Sequence, residues 1–485
     1  MADRSDIINL ISGIRQRFGR APPPRRPGVL RRLRAFVRGF LTRNVDPLDE
    51  DVDLGFESWL TNAPYSDCRK RGLRAVFLAN PVLADRHYRC KSFAKSETYG
   101  EYKHVRLINS RSDAFKCHTG PFFHAVEHAI FDPAGRIGSY FVKRIPVADR
   151  PRWLYDRLHR DGAVYYSSDF SAFESLIVPE VFRAVEFQLY AHMAKRLGQR
   201  GTILTHIRKA LAGRNQCYLK DIRVRVNGCR MSGDMCTSLG NGFTNLMLWL
   251  FLCHEHGFDA DGVVEGDDGL FRVSNPDGSP AVVTADDFAS LGFRAKIESS
   301  TDIGEAGFCK MHFSASDGEN IADPGYVIAG FGWTHSAQMH CGTAKMQELL
   351  RAKGNSLVAT LPRCPILTAL GRYVGRVLGH GRMRYDSADG SPTYWDRESG
   401  RVADVDEERV KRGIGDDTRR VFSSVFAVSE DYQKRVESYF DSLTEICELD
   451  YDLLRPIMRN VWSDYYYKHV MDFAPGVATT WPELG

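Results

Sequence analysis

The stretch VVEGDDGLFRV, Val263–Val273, sets two carboxylates side by side between two apolar runs. Val263 and Val264 precede them, Leu270, Phe271 and Val273 follow, and Gly266 and Gly269 bracket them. β-forming runs interrupted by a glycine-flanked pair predict a hairpin that carries the acids at its tip. Adjacent carboxylates repel, so a rigid turn that holds them either leaves them to water or presents them to a cation. The tripeptide alone does not decide, because GDD recurs at Gly415–Asp417 inside VKRGIGDDTRR. There the flanks are Lys411, Arg412, Arg419 and Arg420, with no strand pattern on either side. That copy reads as a turn or helix cap whose acids are neutralised by neighbouring arginines.

The segments around the first copy are more informative. AVYYSSD (Ala163–Asp169) is a β-branched and aromatic strand that ends on an acid. Pro179 opens a helix with Val181, Phe182, Val185, Leu189 and Met193 at helical spacing and Gly198 as its stop. DIRVRVNGCRM alternates by twos around Asn227-Gly228, which predicts a two-residue hairpin turn there. A long apolar helix follows from about Thr237 to His256, ended by Gly257, and LMLWLFLC (Leu246–Cys253) is its buried middle. Thr284 and Asp287 form a helix cap leading to Leu291 and Gly292, and FRAKIES is a further strand. Strands and helices thus alternate from 163 to 313, and beyond about 345 the pattern is helical and charged, as for a separate domain. A cation at Asp267 would need another oxygen ligand, since Mg²⁺ takes six hard donors. Asp169 is the candidate; it lies 98 residues earlier, so the two acids meet only as neighbouring strand ends of one sheet.

At 485 residues the chain predicts two to four domains, and 43% hydrophobic with 26% charged residues describes a globular chain with ample core. The net charge of +4 is uninformative, but its placement is not. Residues 1–43 hold eleven Arg and no Lys against Asp3 and Asp6, a balance of +9. They include the polyproline-like linker APPPRRPG, and RRLRAFVRGFL with the pattern of a short basic amphipathic helix. Two readings stand: a solvated arm, or an arm laid on RNA or a membrane surface. Eleven cysteines without a CxxC pair predict a reducing compartment. No signal peptide or bilayer-length apolar run is visible, so membrane attachment would be peripheral or through a partner.

Between the acids lies RMSGDMCTSLGNGFTN (Arg230–Asn245), with Ser232, Gly233, Thr237 and Asn241 in a loop that enters a helix. This array resembles motif B of viral RNA-dependent RNA polymerases, and MSGDMCTSLGN closely resembles the plus-strand, tombusvirus-like group. Asp169 then matches the first acid of motif A and Gly266-Asp267-Asp268 matches motif C, in the usual order A, B, C. LGFRAKIES (Leu291–Ser299) resembles motif D with Lys296 at its lysine, and GFCKMHF (Gly307–Phe313) is similar to motif E. Lys95-Ser96-Glu97 and KHVRLINSR (Lys103–Arg111) resemble the basic motif F. The matches share one order across about residues 95–313.

The resemblance implies an α/β chain of the right-hand polymerase fold, with an α+β palm whose antiparallel sheet packs on helices. The expected division is a basic arm (1–43), fingers (44–160), palm (161–182), a return to the fingers (183–227), palm (228–315), then thumb and C-terminal tail (316–485). It implies an RNA-directed RNA polymerase, a viral replicase moving nucleotides from NTPs to an RNA 3′-hydroxyl with two Mg²⁺ or Mn²⁺ ions. Asp169 and Asp267 would hold the ions, with Asp268 a secondary ligand or tuning charge. Lys95, Lys103, Arg106 and Arg111 would grip the triphosphate, and Lys296 would be the general acid for pyrophosphate. Ser232, Gly233, Thr237 and Asn241 would sense the ribose, where hydrogen bonds to a 2′-hydroxyl separate RNA from DNA chemistry. The second acid of motif A is usually Asp; here it is Glu174, one methylene longer. Expected partners are RNA template and product strand, NTPs, and viral or host membrane-anchoring replication proteins. The expected location is the host cytoplasm at membrane-associated replication complexes.

Two rivals are a reverse transcriptase, against which the motif B array argues, and a silent RNA-binding scaffold, against which the intact acids argue. HAVEH (His124–His128) fits an inverted zinc-protease pattern, but no third-ligand motif accompanies it, so it reads as a helix with incidental histidines. His254 and His256 are two apart and read as a helix end, and Tyr465-Tyr466-Tyr467 reads as packing.

Overall fold

The computed structural model describes residues 7–95, 104–220, 222–332, 341–379 and 407–458. Two helices open it, α1 (Ile7–Phe18) and α2 (Val29–Asn44). In α2 the apolar positions Val29, Leu33, Val37, Phe40 and Leu41 recur at helical spacing and are buried in the main core, while Arg31, Arg34 and Arg38 face outward. The helix expected in RRLRAFVRGFL therefore exists, but as a wall of the main core. Its apolar stripe is covered by the protein itself, so that stripe neither lies in water nor is available to a membrane or RNA. Helices α3 (Phe56–Asn62) and α4 (Asp67–Ala79) follow.

A first sheet joins distant parts of the chain. Strands β1 (Cys90–Ala94) and β2 (Leu107–Arg111) pair antiparallel, and β1 pairs parallel with β4 (Arg214–Leu219), which pairs antiparallel with β5 (Ile222–Asn227). Residues 214–227 thus return to the sheet begun at 90–111. The turn expected at Asn227-Gly228 is not the hairpin turn. Leu219 pairs with Ile222, so β4 and β5 reverse there, and Asn227 pairs with Arg214 at the far end of the ladder. The alternation that suggested a hairpin belongs to β5 alone; its partner lay upstream in less regular sequence.

Between these strands run α5 (Asp113–Ile130), α6 (Arg150–Leu158), β3 (Tyr165–Phe170), α7 (Phe173–Leu176), α8 (Pro179–Ala184), α9 (Glu186–Met193) and α10 (Arg200–Leu211). The helix opened by Pro179 breaks at Val185 (φ −117°, ψ −80°) and stops at Met193, short of Gly198. The break brings Glu186 inward, where it is wholly buried and ion-paired with the equally buried Arg230.

The second sheet is antiparallel throughout, in the order β6-β7-β3-β8, built from β6 (Asp259–Glu265), β7 (Asp268–Ser274), β3 and β8 (Ala295–Ser300). Helix α11 (Thr237–His256) packs on it and is buried along almost its whole length; Gly257 ends it at φ +73°. Helix α12 (Ala285–Leu291) starts with a capping box between Thr284 and Asp287 and ends at Gly292. A hairpin of β9 (Met311–Ser314) and β10 (Glu319–Ala322) leads to helices with a core of their own. These are α13 (Pro324–Gly330), α14 (Thr343–Thr360), α15 (Leu367–Leu378) and the helices Asp416–Phe426 and Glu430–Ser442.

Gly240 has no room for a side chain, because a Cβ there would run into Arg230 Nη2 and Glu186 Oε2. Gly240→Ala therefore has to displace a buried ion pair, and urea denaturation should show a loss of about 2 kcal/mol or more. A loss under about 0.5 kcal/mol, the level of an ordinary surface change, would contradict this account of the helix seat.

Candidate active site

The site is built where β3 ends beside the β6–β7 turn. Glu265 pairs with Asp268, so Gly266 and Asp267 are the turn residues, and Gly266 takes the φ of +59° that such a turn asks of its first residue. Ser168 pairs with Gly269 on one side, and on the other Asp169 pairs with Lys296. Three carboxylates from two separate stretches thus sit at adjacent strand ends.

Helix α11 fixes this arrangement. Asn245 Nδ2 donates to the Asp268 carbonyl at 3.0 Å and to the Gly266 carbonyl at 3.3 Å, clamping the turn from below. One helical turn on, Trp249 Nε1 donates to Ser168 Oγ at 3.1 Å on the neighbouring strand. Gly269 keeps that contact close, since a Cβ there would lie 2.8 Å from Ser168 Oγ and 3.2 Å from Trp249 Nε1. The sequence reading assigned no role to Asn245 or Trp249. The available signal was a lone amide inside FTNLMLWLFLC, where a buried polar group must have a partner.

The acids crowd one another. Asp267 is pushed up to about 6, first by burial and then by Glu174 and Asp169, while Arg106 draws it back. Asp268 is pushed up to about 7 by burial, then by Asp267 and Asp169, against the pull of Lys310. Among the described residues no group of three or more His, Cys, Asp or Glu side chains could by itself hold a metal ion. The carboxylates are therefore not a ready-made cage. An open set of mutually repelling carboxylates suits a hard cation that takes its remaining oxygens from water and substrate phosphates.

The loop before α11 is braced from the first sheet. Asn109 N donates to Ser232 O at 2.7 Å, and Gly233 takes φ +127°, where a Cβ would stand 3.0 Å from the Asn109 carbonyl. Arg111 is 3% exposed; it forks to Asp234 at 2.6 and 3.2 Å and donates to the carbonyls of Tyr88 and Ala210. Its place is thus structural and inward, whereas the resemblance set it on a triphosphate; a one-dimensional motif does not show which way a strand residue points. Thr237 Oγ1 donates to the Asp234 carbonyl at 2.8 Å, and the buried Asn241 has an Oδ1 with no hydrogen-bond partner.

Other expected residues fall as follows. Lys95 N donates to the Arg106 carbonyl at 2.7 Å beyond the β1–β2 ladder. Lys103, Ser96, Glu97 and Tyr465–Tyr467 lie outside the described residues. Lys296 is exposed and ion-paired with Glu298 at 2.5 Å. Glu174 pairs with Arg17 from α1, at 3.1 Å. His124 and His128 share α5 with ring centroids 4.3 Å apart, and among the described residues no third ligand joins them. The second GDD opens the helix Asp416–Phe426, where Asp417 accepts from Ser314 Oγ at 2.5 Å and from Arg420 Nε at 3.0 Å.

The antiparallel sheet, its acids and the helix beneath them fall within residues 161–448, which match the family model described as viral RNA dependent RNA polymerase. That is more than half of the chain, and the chain belongs to this family. It is similar to the RNA-directed RNA polymerase of Panicum mosaic virus (strain United States/Kansas 109S), 23% identical over 458 residues, covering 90% of this chain and 44% of the relative. The RNA-directed RNA polymerase of Pothos latent virus (isolate Pigeonpea/India) is 30% identical over 175 residues, 34% of this chain and 23% of that protein. That of Melon necrotic spot virus is 23% identical over 385 residues, 73% of this chain and 45% of the relative. The chain spans less than half the length of these curated relatives.

The raised acids give a sign for pH dependence. A carboxylate whose folded pKa lies above its unfolded value favours the fold below about pH 4, and that stability is lost as pH rises through the folded values. Asp267→Asn should therefore stabilise the metal-free protein at pH 8 by about 1–2 kcal/mol after solvent screening, and by nothing at pH 4. Thermal melts at both pH values check this, and an equal effect at both would contradict it.

Proposed function

We propose that this chain is the catalytic part of a viral replicase, transferring nucleotides from NTPs to an RNA 3′-hydroxyl as an RNA template directs. The observation that carries the reading is the placement of Asp169 beside Asp267 and Asp268 on adjacent strand ends clamped by α11. In right-hand terms, the four-stranded antiparallel sheet with α11 and α12 is the palm, and the β2-β1-β4-β5 sheet with its helices is the fingers. The helical region after β10 is the thumb.

Asp169 and Asp267 would hold divalent ions, Mg²⁺ or Mn²⁺, with Asp268 as a nearby tuning charge. Such ions, when bound, neutralise the charge that builds on the attacking and leaving oxygens. The chain's own groups bind and orient. Arg106, close enough to Asp267 to lower its pKa, would grip the triphosphate. Lys95 lies next to it across the ladder. Lys296, across from Asp169, would hand a proton to pyrophosphate once released from Glu298. Ser232, Gly233, Thr237, Asn241 and Glu174 would read the sugar, and the unsatisfied Oδ1 of the buried Asn241 suits a ligand hydroxyl. Arg111 is placed instead to hold the Ser232–Asp234 loop. No helix among the described residues is long and apolar enough to cross a membrane. On family membership alone, the proposal extends to work in the host cytoplasm at membrane-associated complexes, with membrane-anchoring replication proteins as partners.

Incorporation of labelled NTP on an RNA template tests the assignment. Asp169→Ala and Asp267→Ala should each lower the rate by on the order of 10²–10³-fold or more. Asp416→Asn, in the second GDD, should stay within about twofold, a change of under about 0.5 kcal/mol. Parent-level rates in both alanine variants would refute the site.

Ion binding is separately measurable. Mn²⁺ at about 100 times its Kd should stabilise the folded protein by about 2.7 kcal/mol in denaturant melts, and Asp267→Asn should abolish the gain. No stabilisation of the parent would favour a catalytically silent scaffold.

A further inference from the structure

The usual second acid of motif A is replaced here by the longer Glu174, and the structure shows what the extra reach meets. Arg17 Nη1 donates to Glu174 Oε2 at 3.1 Å across 157 residues of sequence. Both side chains are mostly buried, 17% and 13% exposed, so the pair is shielded more than a surface salt bridge.

Helix α1 is seated firmly enough to make Arg17 a fixed group. Leu10, Ile14 and Phe18 pack with Val105 and with Ala94, Leu107, Leu219 and Ile222 of the first sheet. Gly13 lets the helix approach so closely that a Cβ there would lie 2.6 Å from the Val105 carbonyl. This places α1 on the strand segment flanking Arg106. The linker to α2 is tied down too: Arg26 N donates to the Ser290 carbonyl at 2.9 Å, Arg26 Nε to Ser290 Oγ at 2.8 Å, and Arg294 to the Ala21 carbonyl. The N-terminal segment is thus a strap running from α2 past α12 to the first sheet, with Arg17 reaching Glu174.

We propose that Arg17 is a positioning residue for sugar recognition: it fixes the Glu174 carboxylate so that its other oxygen faces the ribose of the incoming nucleotide. The inference rests on the polymerase reading above. A carboxylate held by one oxygen keeps a single rotamer, and the free oxygen is an acceptor for a hydroxyl or for the Asn241 amide. Glu174 also raises the pKa of Asp267, which sets it within electrostatic reach of the acids. An unpaired Glu174 would sample other rotamers and read the 2′-hydroxyl poorly.

The test compares kcat/KM for an NTP and its 2′-deoxy counterpart in the parent, Arg17→Gln, Arg17→Lys and Glu174→Gln proteins. Loss of a hydroxyl-reading contact should lower the NTP-over-dNTP preference of Arg17→Gln about tenfold, with Arg17→Lys recovering part of it. Adding Arg17→Gln to Glu174→Gln should change the preference no further, because the pair acts as one unit. A preference within about twofold of the parent, or an equal fall for both nucleotides, overturns the inference while leaving the polymerase reading intact. A parent that incorporates no nucleotide sinks the polymerase reading, and the role of Arg17 with it.

Discussion

Asn245 donates from the middle of an apolar, buried helix to the two carbonyls that flank Asp267, and the placement of the acids depends on that clamp. A buried amide with partners contributes about 1 kcal/mol per bond, and one without them costs more than that, so the helix and the turn hold each other in register. Trp249 repeats the connection to β3 one helical turn later. Helix α11 therefore spans the gap between two stretches of chain that share no local signal. Its own seat is the buried Arg230–Glu186 pair, with Gly240 as the residue that gives the pair room.

What this arrangement holds in place is unfavourable in isolation. Two of the three carboxylates are raised toward neutrality by burial and by one another. Nearby, Cys309 and Lys310 take φ of +54° and +61° at the turn into β9, a left-handed pair of the kind that two-residue hairpins usually give to Asn-Gly. That turn holds Lys310 within electrostatic range of Asp268. Strain and repulsion gathered at one spot fit the proposed cation site better than a region shaped for stability. Gly415–Asp417 shows the opposite economy: Asp417, pushed up by burial, is drawn below its ordinary value by Ser314 and Arg420.

Local signals in the sequence were reliable where neighbours in sequence are neighbours in space. The hairpin at 263–273, the limits of α11 at Thr237 and His256, and the Thr284–Asp287 cap all follow from periodicity and turn chemistry. Contacts between distant segments were not legible. The β5 alternation gave no hint that its partner was β4 upstream, or that β4 also pairs with β1. A basic residue in a strand reads the same facing out or in, and Arg111 faces in, toward Asp234. The basic N-terminal segment looked like an arm because its composition is extreme, yet the apolar stripe of α2 is a wall of the core. Glu174 stood out as a departure, but Arg17, its ion-pair partner, lies 157 residues away.

The central claim is that Asp169 and the 267–268 turn form one cation-binding centre and that the second GDD does not. Anomalous diffraction from crystals soaked in Mn²⁺ with a template–product RNA and an incoming nucleotide analogue tests it most directly. The account predicts manganese peaks between the carboxylates of Asp169 and Asp267, beside the nucleotide phosphates, and none at Asp416 or Asp417. Peaks confined to the 415–417 helix end, or an ordered nucleotide with no metal at Asp169 and Asp267, would contradict it.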